Sequence, residues 1–195
     1  MLLKLLFASC YLFLFGSSLA NPQTSPQPNV AAPPASGSVQ NGRYHHDQTG
    51  FEFDLPVGFS VQRTDNYMND GWQAILTDSE DHNARVAVWM AKRSFPANVV
   101  PTILARQVPA KIARRKGLID YEIPAESIQM TSINGQQAVK AAAHYQNPAG
   151  QKMTELLTWI TTQHTDVHFY AMVPTSSAPD LQWRFDQMVQ SAIVP

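Results

Sequence analysis

The run QAVKAAAHYQNPAGQKMTELLTWITTQHTDVHFYAMV, residues 137–173, decides the fold class. It opens by alternation: Val139, Ala141, Ala143 and Tyr145 share one face of a strand, while Lys140 and His144 take the other. Asn147-Pro148-Ala149-Gly150 is turn chemistry, because proline presets φ, glycine accepts a left-handed backbone and asparagine bonds its own main chain. Two more extended segments follow, Met153–Thr162 and Val167–Val173. Three successive strands joined by short turns predict an antiparallel meander.

Working outward, Ile133-Asn134-Gly135 reads as a hairpin turn that joins the meander to an earlier strand, Glu126–Ser132. Downstream, Leu181, Phe185, Met188, Val189, Ala192 and Ile193 recur at helical spacing and predict a buried stripe on a last helix starting near Pro179-Asp180. Upstream, Phe51–Leu55 alternates, Pro56 and Gly58 break it, and Phe59-Ser60-Val61 resumes extended structure. Trp72, Ala74 and Leu76 mark another strand, and Arg85–Met90 is apolar on both faces, as a central strand covered on each side would be. Between the two sets of strands, Val99, Val100, Ile103, Leu104, Val108 and Ile112 switch to helical spacing. Asn98 is the expected cap and Pro101 falls in the first turn, where its missing N–H is harmless. Pro109 inside a helix costs about 3 kcal/mol, which predicts a kink or two consecutive helices. The order is β-β-β-β-α-β-β-β-β-α, an α+β domain. With no repeated βαβ unit, it is unlike the parallel-sheet nucleotide-binding and barrel enzymes.

The first twenty residues, MLLKLLFASCYLFLFGSSLA, have the form of a cleavable signal peptide. Lys4 precedes an apolar stretch from Leu5 to Phe15, and Ser18-Leu19-Ala20 supplies the small–x–small cleavage pattern. The apolar stretch falls short of the roughly 20 residues a bilayer requires, so no transmembrane span is expected after cleavage. Asn21–Gly42 has five prolines, no charge and no aromatic residue, and is expected as a disordered linker ahead of a domain spanning residues 43–195. The single cysteine, Cys10, lies in the leader, so the exported chain would have neither a disulfide nor a thiolate metal site. Fourteen Lys and Arg against 15 Asp and Glu give a net charge of −1, and loss of Lys4 makes it more negative. No nucleic-acid partner is expected from that balance, because neutralising phosphates needs a concentrated basic face. The densest basic run, Arg114-Arg115-Lys116, reads as a solvated helix end.

With this pattern laid out, the chain resembles the PsbP/Mog1/DcrB-like superfamily. The resemblance rests on Gly50-Phe51-Glu52-Phe53-Asp54-Leu55-Pro56-Val57-Gly58-Phe59, on Ile133-Asn134-Gly135-Gln136-Gln137-Ala138-Val139, and on the terminal strand and helix. It implies an antiparallel sheet packed between helices, an α/β/α sandwich. It implies no shared activity, since members serve as photosystem accessory subunits, Ran-binding factors, cell-envelope proteins and effector chaperones. The superfamily offers no catalytic residues to carry over, and an exported chain would not belong with the cytoplasmic chaperones.

The sequence holds no Gly-x-Ser-x-Gly elbow, His-Glu-x-x-His pair, phosphate-binding loop or Gly-x-Gly-x-x-Gly turn. His164, Asp166 and His168 alternate and would share a strand face. At about 3.4 Å per residue the outer two then stand roughly 13–14 Å apart, which disfavours one ion held by all three, although Asp166 and His168 could share one or His164 could curl back from a turn. The acidic turn Asp78–Asn83 lacks the glycine and distal glutamate of a calcium loop. Trp72, Trp89, Trp159 and Trp183 could stack on sugars or bases, although aromatic residues on strands mostly fill cores. Tyr67, Met68 and Trp72 are the expected residues of a ligand or partner surface. The reading is therefore a non-catalytic exported module of the cell envelope or extracellular space, needing no cofactor and binding an unknown protein or small ligand. The alternatives are a metal-binding protein or metal-dependent hydrolase built on His164, Asp166 and His168, and a secreted effector.

Overall fold

Strand Gln136–Gln146 and its two successors form the meander that the opening stretch predicts. The computed structural model describes residues 37–67, 71–81, 84–112 and 118–195. Its elements in chain order are β1 (Gly37–Gln40), β2 (Arg43–His46), β3 (Phe51–Asp54), β4 (Phe59–Tyr67), β5 (Gly71–Asp78), β6 (Arg85–Lys92), α1 (Val100–Thr102), α2 (Val108–Ile112), β7 (Ile119–Glu122), β8 (Gln129–Ile133), β9 (Gln136–Gln146), β10 (Lys152–Thr161), β11 (Thr165–Pro174) and α3 (Ala178–Gln190). The leader, the linker up to residue 36, Met68 and the Arg114–Lys116 run lie outside the described residues. Among the described residues no helix is long and apolar enough to cross a membrane.

The larger sheet runs β4-β5-β6-β11-β10-β9-β7, with β8 also paired to β9. Every pairing is antiparallel, and β6–β11 joins the N-terminal strands to the C-terminal meander. Period-two alternation then sorts the side chains. One face gathers Trp72, Leu76, Val88, Leu156, Ile160, Val167 and Phe169 with Leu181, Phe185, Met188 and Val189 of α3 in a single apolar core. The opposite face carries Trp89, Trp159, His168 and Tyr170. Segment 97–112 buries Ala97, Val100, Ile103, Leu104 and Val108, and the ring of neighbouring Phe95 meets Trp159 edge-on at 6.2 Å.

Several expectations need correction. Gly37–Gln40, assigned to the linker, is strand β1 and pairs with β2, making a three-stranded sheet β1-β2-β3. Asn41 and Gly42 both have positive φ, 52° and 76°, the geometry a two-residue hairpin demands. This small sheet buries Tyr44, Phe51 and Phe53 against Trp72 and Phe169. Arg43 binds it together, donating to Glu52, to Asp54 and to the Ser191 carbonyl beyond α3. Asn98 makes no capping bond, and the first helical turn is a 3₁₀ turn preceded by Pro96. Pro109 sits in the first turn of α2, directly after a π-helical turn at Ile103–Gln107 in which Val108 N–H reaches back to the Ile103 carbonyl. The wide turn accommodates the missing proline donor, so two consecutive helices form as expected. Ile193 falls beyond α3 and is exposed, because the chain leaves the helix there to bridge Glu52 of β3.

The turn Asn134-Gly135 has φ of 48° and 81° and fixes the β8–β9 register. The Asn134 side chain also reaches α3, where its Nδ2 donates to the carbonyls of Gln190 (3.1 Å) and Ala192 (2.7 Å). Carbonyls at a helix C-terminus have no intrahelical donor, so this side chain ties α3 to the sheet edge.

Candidate functional site

The trio His164, Asp166 and His168 does not converge. His164 lies in the β10–β11 turn and is exposed, whereas Asp166 and His168 are buried on β11. Among the described residues, no group of three or more His, Cys, Asp or Glu side chains could hold an ion. Asp166 instead accepts a hydrogen bond from the Ser94 amide at 2.8 Å. Burial pushes its carboxyl pKa up, and the Ser94 amide, Trp159 and Thr161 oppose that rise.

His168 has become part of an aromatic stack. The β6–β11 and β10–β11 registers place it directly beside Trp89 and Trp159. Its ring lies 3.5 Å from that of Trp89 at an interplanar angle of 10°, and 4.0 Å from that of Trp159. Its Nδ1 meets the Tyr170 hydroxyl at 3.2 Å. Complete burial holds the imidazole pKa well below its ordinary value, so the ring is neutral at physiological pH. Further along the same face, Tyr121 donates to Glu155 Oε2 at 2.7 Å. These polar groups face one another inside the fold, which is the arrangement of a structural network.

The expected recognition surface is also revised. Trp72 is 2% exposed and belongs to the core, stacked on His46 at 4.4 Å between ring centroids. Tyr67 ends β4 opposite Gly71. Of the four tryptophans, Trp183 is the exposed one, at 61%, on the outer side of α3.

A pocket opens where α3 crosses β9 and β10, and its origin is local. β9 and β10 pair Ala142 with Leu156 and Lys140 with Thr158 on the face toward α3. The short alanine leaves space that Phe185 of α3 only partly fills. The resulting cavity, of about 330 Å³, is bounded by Leu156, Phe185 and Thr158 within and by Lys140, Gln182 and Asp186 at the rim, with Ser127 and Gln129 beside β8. Lys140 Nζ donates to Asp186 Oδ1 at 2.6 Å across the opening. Thr158 is 1% exposed, and its hydroxyl has no hydrogen-bond partner among the described residues. Leaving a buried hydroxyl unpaired costs roughly 1–3 kcal/mol. Such a cost is tolerated where a bound molecule supplies the missing partner.

Sequence reading passed over this site because its members are ordinary in isolation. Lys140 reads as the polar face of a strand, Thr158 as an interruption in an apolar one, and Asp186 as the solvent side of a helix. The one usable signal is Thr158 itself, a hydroxyl at a position that alternation assigns to the core.

No family model matches the sequence, and none of the curated proteins matches it. Solved structures do. The chain is similar to the solution structure of cyanobacterial PsbP (CyanoP) from Synechocystis sp. PCC 6803, with a TM-score of 0.58 and 15% identity over 90% of this chain and 100% of that one. It is also similar to the crystal structure of LpqN, involved in cell envelope biogenesis of Mycobacterium tuberculosis, with a TM-score of 0.53 and 12% identity over 77% of this chain and 88% of that one. At such identities the likeness concerns the fold. The chain has a PsbP-like α+β fold, as the resemblance implied.

Proposed function

We propose that the protein is an exported, non-catalytic binding or accessory module that captures its ligand or partner through the α3–β9–β10 pocket. The observation that carries this reading is the buried Thr158 hydroxyl behind the Lys140–Asp186 pair, which has no hydrogen-bond partner among the described residues. The pocket groups are suited to holding a molecule. Lys140 is committed to Asp186, and Ser127 donates to the Pro124 carbonyl at 2.7 Å, so no base stands ready beside a free nucleophile. In this reading the sheet lies between α3 and segment 97–112, supported by the burial on both of its faces. Export is supported by the form of residues 1–20. A placement in the envelope is supported by LpqN, a protein of similar fold involved in cell envelope biogenesis.

The test is to express the full chain with a C-terminal affinity tag, recover it from the exported fraction, and identify what co-purifies from the envelope. An N-terminus at Asn21 and a retained molecule lost on blocking the pocket are expected. A chain kept in the cytoplasm with its leader would remove export from the reading. Turnover of the retained molecule would make the protein an enzyme.

A further inference from the structure

The chemistry of the pocket narrows its ligand. Its two charged groups neutralise each other, so it offers no net field for a phosphate or a polyanion. What remains is short-range and works in both senses. The Gln129 and Gln182 amides each present donors and an acceptor, and the Thr158 hydroxyl does both. Lys140 and Asp186 set donor and acceptor side by side, the spacing that two neighbouring hydroxyls of one molecule would match. The inner wall, Leu156 and Phe185, is apolar.

The polar rim and the apolar inner wall together suit a molecule that is polar at its edges and apolar on its faces. A volume of about 330 Å³ suits a small ligand.

We infer that this pocket binds a neutral saccharide ring, its hydroxyls engaging Thr158, Gln129, Gln182 and the Lys140–Asp186 pair while one ring face rests on the Leu156–Phe185 wall. The inference rests on the pocket being the binding site proposed above, and it adds the ligand class.

The experiment uses the exported full chain, ¹⁵N-labelled, titrated separately with glucose, N-acetylglucosamine and their β-linked disaccharides. Inorganic phosphate and glutamate serve as anionic and zwitterionic comparisons. At least one saccharide is expected to shift the side-chain amides of Gln129 and Gln182. Gln182→Ala, a surface change, and Thr158→Val, which keeps the side-chain shape, should each weaken that saccharide by about three- to tenfold. Thermal melting should show both variants folded. Saccharide binding that neither variant weakens, or no saccharide shift at all, overturns the inference. Shifts at the pocket from glutamate or phosphate alone also overturn it, yet leave a binding module with a different ligand. A pocket silent to every probe, together with an envelope capture that retains nothing, removes the binding-module reading as well.

Discussion

Replacing His168 tests whether the buried stack on β11 governs the acid stability of this fold. The imidazole is 2% exposed, lies against Trp89 and Trp159, and has a pKa held well below its ordinary value by burial. In the unfolded chain the same ring titrates near 6.5. Above that pH it is neutral in both states and contributes nothing. As the pH falls through about 6.5, the unfolded chain takes up a proton that the native protein refuses, and stability drops. The slope reaches about 1.4 kcal/mol per pH unit, so moving from about pH 7.5 to about pH 5 should cost about 2 kcal/mol from this ring alone. Other groups also contribute. His46, likewise depressed by burial, acts in the same direction. Asp166, raised by burial on the same strand face, acts in the opposite one, because the native state takes its proton first. Both remain in a His168→Phe variant, whose ring can keep the stack, and in a His168→Gln variant. Urea unfolding at the two pH values yields the pH penalty for each protein. The wild-type penalty should exceed that of either variant by about 2 kcal/mol, whatever the variants' absolute stabilities. Equal penalties, or a His168 resonance that titrates near pH 6.5 in the native state, would refute the reasoning.

Phe185→Ala should destabilise by about 3–5 kcal/mol, since the ring is 2% exposed at the centre of the α3 stripe, whereas exposed Gln187→Ala should cost under about 0.5 kcal/mol by urea unfolding. Asn134→Gly keeps the left-handed backbone but removes both hydrogen bonds to the end of α3, so a loss of about 1–2 kcal/mol is expected in the same assay, together with faster amide exchange at Ser191 and Ala192. Deleting Asn21–Gly42 should lower stability by about 1 kcal/mol or more, because it takes away β1 and its pairing with β2; an unchanged thermal midpoint would mean that β1 adds nothing to the domain. Tyr121→Phe leaves Glu155 Oε2 without its 2.7 Å donor in a buried site and should cost about 1–3 kcal/mol, a loss that Glu155→Gln in the same background partly restores.

How far the sequence reached depends on whether a feature is local. The meander, the Asn134-Gly135 turn and the α3 stripe were legible because each is a short-range pattern: period two, a left-handed dipeptide, period 3.6. Asn41-Gly42 carried the same hairpin signal. The neighbouring prolines dominate the composition of that stretch and mask it. Pro109 was legible as an obstacle, while its solution, a π-helical turn just before it, depends on backbone geometry that composition does not encode.

The site was less legible. Its members sit on β8, β9, β10 and α3, and only the crossing of α3 over the β9–β10 register makes Thr158, Lys140 and Asp186 neighbours. For the same reason the His164–Asp166–His168 pattern, adjacent in sequence, came apart in space. β11 became the central strand, flanked by β6 and β10, and tryptophans from both neighbours enclosed His168. Alternation along one strand says which side chains share a face. What that face meets is set by long-range pairing, which here buries Trp72, Trp89 and Trp159. The sequence alone thus determined an α+β chain with an antiparallel meander and a closing helix. Tertiary structure decided which polar groups were sealed into the core and which were left facing a pocket, because burial belongs to the packed whole and to no segment of it.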